Sequence, residues 1–167
     1  MSKVYALSGA RVAYLCAAPH QLETLRAVTP PWIVGLPAQV AAVRALQDPA
    51  YYAARYAETH ALRRSLAERV MELGWEVVPG CANFLLAHLP ATGPTADELV
   101  KSCRECGLFL RNAANMSSRF GDRVIRLAVK NEETNGRMVE ILRALLGQTP
   151  PVRSPLARLH DAKLQTA

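Results

Sequence analysis

The chain has 167 residues, half of them apolar, which suffices for one moderate domain with its own core. Its net charge of +6 is scattered, without the aromatic–basic interleaving of a nucleic-acid surface. No apolar run reaches membrane-spanning length and no apolar leader opens the chain, so a cytoplasmic setting without membrane contact is expected.

Residues 11–16 (Arg-Val-Ala-Tyr-Leu-Cys) are short and apolar and predict a buried strand. Pro19 opens a short helix to Leu25, and Pro30-Pro31-Trp32 breaks the chain. The Ala-rich run 38–46 predicts a helix. A long helix is expected over 49–73, with Leu62, Leu66 and Val70 on one face and Gly74 past its end. Tyr51 and Tyr52 at its start read as packing residues. Residues 75–78 and 83–89 read as two strands around the Pro79-Gly80 turn.

Thr95-Ala96-Asp97-Glu98 is a capping box opening a helix to about Glu105, stopped by Gly107. Cys103 and Cys106 would share a face of that helix; without a second Cys/His pair nearby, a metal site is not expected. With Cys16 and Cys81 they are too few and too irregular for a disulfide framework. Leu108-Phe109-Leu110 begins a third strand and 124–129 a fourth. A helix over 132–146 follows, capped by Asn131 and ended by Gly147. From residue 49 the order is helix, strand, strand, helix, strand, strand, helix. That predicts an α+β layer, a mainly antiparallel sheet with helices on one face. Residues 149–167 read as a flexible tail. None of the four histidines stands at a recognisable spacing from a carboxylate or thiol; His88 would alternate toward solvent on its strand.

The chemistry concentrates in residues 2–14. Ser2 precedes Lys3, and Arg11 follows eight positions later after Gly9, with small apolar residues beyond. This stretch resembles the lysine segment of fold-type-I aminotransferases that use pyridoxal 5′-phosphate (PLP). The resemblance implies that Lys3 is the Schiff-base residue and moves the proton at the substrate Cα. It implies that Arg11 binds the cofactor phosphate through its planar fork of donors, with Ser2 adding a hydroxyl.

A second resemblance lies further on. Gly74-Trp75-Glu76-Val77-Val78-Pro79 followed by Ala82-Asn83-Phe84 is similar to a segment of histidinol-phosphate aminotransferases. So are Gly107-Leu108-Phe109-Leu110-Arg111-Asn112 and Val124-Ile125-Arg126-Leu127-Ala128-Val129-Lys130. By that likeness Arg126 clamps the substrate carboxylate and Arg111 reaches a distal phosphate or other anion. Arg119 and Arg123 are left as solvent-facing arginines. Residues 108–130 and Pro31-Trp32 also resemble threonine-phosphate decarboxylases of the cobalamin pathway.

The family resemblance implies an α/β fold of fold type I, present in part. Residues 1–48 would end the large PLP-binding domain, and 49–148 would form the small substrate domain. Fold-type-I enzymes are about twice this length or more. The acid that pairs with the pyridine nitrogen, the stacking aromatic and the phosphate loop would lie upstream of Met1. The chain thus reads as a C-terminal fragment, expected to be inactive in amino-group transfer when alone. Its apolar stretch 11–46 is expected to drive association, with a second copy or with a missing N-terminal half. The alternatives are a threonine-phosphate-type decarboxylase, and a truncated binding module without activity.

Overall fold

A computed structural model describes residues 1–117 and 119–147. They divide into two compact units, Met1–Ala57 and a second beginning at Glu58. The first holds helices α1 (Pro19–Val28) and α2 (Leu36–Gln47) and the start of α3 (Pro49–Met71). The second holds the rest of α3, then β1 (Glu76–Val77), β2 (Phe84–His88), α4 (Ala96–Glu105), β3 (Arg111–Asn112), β4 (Val124–Ala128) and α5 (Glu132–Leu145). The tail expected over 149–167 lies outside the described residues. None of the described helices is long and apolar enough to cross a membrane.

In the second unit a four-stranded, wholly antiparallel sheet runs in the order β1-β2-β4-β3. Alternation gives the sheet two faces. Leu85, Ala87, Ile125 and Leu127 point to one and are fully buried. They pack with Leu66 and Val70 of α3, Leu99 and Cys103 of α4, and Val139 and Leu142 of α5. Burying each large side chain there stabilises by about 1.5–3 kcal/mol. The other face carries Phe84, Leu86, Arg126 and Arg111 and is not covered by this core.

The local signals behave as their chemistry requires. Thr95 Oγ1 accepts from Glu98 N while Glu98 Oε2 accepts from Thr95 N at 2.8 Å, closing the capping box. Asn131 caps α5 through Thr134 N. Gly74, Gly107 and Gly147 take positive φ past helix ends.

One expected strand fails and another starts late. Residues 11–16 pair with nothing among the described residues: Arg11 adopts φ 51°, off the extended region, and Tyr14 and Leu15 are exposed. At 108–110 the ladder begins only at Arg111, because Leu108 N is spent on Cys103 O at 2.8 Å. With Gly107 N on Arg104 O, that bond closes a Schellman motif at the end of α4. Helix α1 runs three residues past Leu25, to Val28.

The first unit has almost no interior. Val12, Ala42 and Ala45 are its buried apolar residues. Leu25, Val28, Trp32, Ile33, Leu36 and Val43 are all exposed, Trp32 to 92%. An open cleft of about 460 Å³ runs between Val12, Trp32, Ile33 and Val43.

Candidate functional site

The five residues singled out from the sequence fall into two sets, one in each unit. Ser2, Lys3 and Arg11 lie in the turns before α1, and Arg111 and Arg126 lie on neighbouring strands of the sheet.

The Lys3 segment is wound rather than extended. Tyr5 N bonds Met1 O at 3.1 Å, and Ala6 N bonds Lys3 O at 3.4 Å. Ala6 and Arg11 both take left-handed φ, near 54° and 51°. For residues with a Cβ that conformation costs about 1–2 kcal/mol each, so something outside the two residues holds it. Part of the hold is aromatic. Tyr5 packs edge-on against Tyr52 at 4.8 Å, and Tyr56 Oη donates to Val4 O at 2.7 Å. The Lys3 side chain is exposed. Arg11 donates Nη1 to Ser8 O at 3.1 Å, leaving the other arm of its fork for a second acceptor.

On the sheet, Arg111 of β3 stands directly opposite Arg126 of β4. Like charges opposed across a ladder disfavour it unless solvent, salt or a bound anion screens them. Among the described residues neither arginine forms an ion pair. Arg126 is half-buried, with its guanidinium carbon 4.1 Å from the Phe84 ring centroid. Its Nε is buried and bonds nothing among the described residues. A cation over an aromatic face, with one buried donor unspent, has both an attraction that places it and a hydrogen bond left to give. Arg111 is exposed beside it.

Phe84 is the residue whose role the sequence reading missed. It sits two positions from the Arg126 partner Leu86 on β2, the diagonal neighbour of a cross-strand pair. Arg123 is a correction. Instead of facing solvent, its Nη1 reaches Pro90 O at 3.0 Å, Gly93 O at 2.6 Å and Pro94 O at 3.2 Å, and ties down the loop before α4. The two thiols also separate: Cys103 is fully buried, while Cys106 caps the helix and is exposed.

Comparison with known proteins bears on this arrangement. The histidinol-phosphate aminotransferase of Rhodopseudomonas palustris (strain TIE-1) is 32% identical over 148 residues, covering 88% of this chain and 40% of that protein. Histidinol-phosphate aminotransferase 1 of Caulobacter vibrioides is 34% identical over the same shares. The chain therefore spans about two fifths of the length of the curated relatives it matches. Among solved structures, the histidinol-phosphate aminotransferase from Clostridium acetobutylicum superposes with a TM-score of 0.79 at 22% identity, over 86% of this chain and 43% of that one. The L-threonine-O-3-phosphate decarboxylase from Porphyromonas gingivalis superposes with a TM-score of 0.75 at 25% identity, over 88% and 45%. Residues 1–142 match the family described as aminotransferase class I and II, and the chain belongs to that family.

Proposed function

We propose that this chain supplies the lysine and the substrate clamp of a PLP-dependent enzyme that transfers the amino group of an amino-acid-type, phosphate-bearing substrate. One observation carries the reading: Arg126 and Arg111 face each other on the open side of a sheet in a chain of this family. Similarity to histidinol-phosphate aminotransferases supports the substrate class.

The donors near the N-terminus suit both ends of the cofactor. Lys3 offers an exposed amine for the aldehyde, and Ser2 with the free arm of Arg11 offers donors for the phosphate. For the ring nitrogen the Met1–Ala57 unit holds only two carboxylates, Glu23 and Asp48. Asp48 already accepts from Tyr51 N at 3.1 Å. When bound, PLP supplies the electron sink for charge developing at the substrate Cα. The rest of the work is the chain's own. Arg126 holds the substrate carboxylate in a fixed plane. Arg111 takes the distal phosphate, and Lys3 moves the proton at Cα.

The chain covers 40% of its relatives' length, so the activity belongs to a fuller assembly. The exposed apolar residues of the Met1–Ala57 unit fit packing against a polypeptide that supplies the remainder, or against a second copy. A decarboxylase acting on a threonine-phosphate-type substrate is the second reading, favoured by the likeness at 25% identity to such an enzyme. In both readings the protein works in the cytoplasm.

Borohydride reduction in the presence of PLP, followed by peptide mass spectrometry, tests the cofactor assignment. Label is expected on Lys3, with Lys3→Ala losing it; label spread equally over Lys101 and Lys130 sinks the assignment. The isolated 167-residue chain is expected to turn over no amino acid, and measurable turnover would overturn the incomplete-site reading.

A further inference from the structure

We propose that Asn112 is a positioning residue for Arg111, acting through a hydrogen bond to Asp97 on α4. The inference rests on the reading of Arg111 as an anion ligand and adds what holds that ligand in place. Strand β3 is two residues long, with one rung facing Arg126 and the other Ile125. A strand so short does not hold its own register. The Arg111 side chain bonds nothing among the described residues, so its place is inherited from its neighbour.

Asn112 uses both ends of its amide. Nδ2 donates to Asp97 Oδ1 at 2.7 Å, and Oδ1 accepts from Ala114 N at 2.8 Å. Asp97 lies in the first turn of α4, whose start is set by the Thr95–Glu98 capping box. Ala96 N bonds Asp122 O at 2.8 Å, joining that turn to the approach to β4. Just beyond Asn112, Ala113 is fully buried and its N bonds Val124 O at 2.9 Å. One continuous set of bonds therefore runs from the start of α4 through Asn112 to Arg111.

A plain turn-forming role needs only the bond to Ala114 N, and an aspartate makes that bond equally well. The bond from Nδ2 to Asp97 is what a turn does not need. Asn112→Asp keeps the turn acceptor and sets two carboxylates against each other. Combining it with Asp97→Asn restores the bond with donor and acceptor exchanged, at unchanged net charge.

The test uses the full chain. Inorganic phosphate is titrated while the side-chain Nε–H resonances of Arg111 and Arg126 are followed by nitrogen-15 NMR. Amide hydrogen exchange at residues 111–113 is recorded in parallel. Asn112→Asp is expected to weaken phosphate binding by about tenfold, the worth of one charge-assisted hydrogen bond. It is also expected to speed exchange at 111–113, and the double variant is expected to recover both. Should Asn112→Asp not fold, Asn112→Ser loses the amide donor, keeps a turn acceptor and carries the same expectation. Unaltered affinity and exchange in Asn112→Asp, or no recovery in the double variant, overturns the positioning role. Phosphate that leaves the wild-type Arg111 resonance unmoved overturns the anion reading itself, and this role with it.

Discussion

Tyr56 Oη donates to the carbonyl oxygen of Val4 at 2.7 Å, joining residues 52 positions apart beside Lys3. Desolvation by burial raises the Tyr56 phenol above its ordinary value, and Tyr5 and Tyr52 add to it. The hydroxyl therefore stays protonated and donating throughout the neutral range. Tyr56→Phe keeps the ring contact with Tyr52 and removes only the bond. It is expected to speed amide exchange over residues 3–6 and to reduce the selectivity of PLP trapping at Lys3. Trapping as selective as in the wild type would show that the bond does not orient the lysine.

Phe84 is expected to matter through Arg126. Phe84→Leu keeps an apolar side chain on β2 and removes the aromatic face under the guanidinium. The lost cation–π contact is worth about 0.5–2 kcal/mol. Urea denaturation should show a loss in that range. Phosphate or carboxylate affinity should fall in Phe84→Leu and fall further in Arg126→Gln. A variant that loses stability but binds anions as before would reduce Phe84 to a packing residue.

Arg123 is expected to be structural. A single Nη1 lies within hydrogen-bond distance of three carbonyls, but it carries only two hydrogens, so two bonds are made at a time. Arg123→Ala leaves those carbonyls without their partner and is expected to cost about 1.5–3 kcal/mol in urea denaturation. Lysine, a compact ammonium on a flexible stem, should recover part of that loss. Anion binding at Arg126 should hardly change. An equal loss of anion affinity in Arg123→Ala would place this residue at the site and not under the loop.

What could be read from the sequence was local. The Thr95–Glu98 box, the Asn131 cap and the glycines at 74 and 107 each act within a few residues, so spacing alone located them. The opposition of Arg111 and Arg126 was out of reach, because register belongs to a pair of strands and the pattern along either one does not set it. Phe84 was hidden for the same reason. The strand expected at 11–16 failed because an apolar run becomes a strand only beside another, and the described residues offer it none. Arg123 was misread because its partners are backbone carbonyls, which composition does not reveal.

Cys103 offers a prediction with a definite sign. Burial in the core raises its thiol from an ordinary value near 9.0 to about 11, with Cys106 adding to the shift. At pH 8 an alkylating reagent should therefore modify exposed Cys16, Cys81 and Cys106 quickly and Cys103 only at the rate of unfolding. The same shift ties stability to pH. Between about pH 9 and 11 the unfolded thiol loses its proton while the folded one keeps it, so the unfolded chain binds fewer protons and stability falls as pH rises. The slope cannot exceed about 1.4 kcal/mol per pH unit and is lower where solvent screens the thiolate. Cys103→Ala removes this contribution. The stability difference between wild type and Cys103→Ala should be constant below pH 8 and shrink through the alkaline window. A difference that does not change with pH would mean that Cys103 ionises alike in both states.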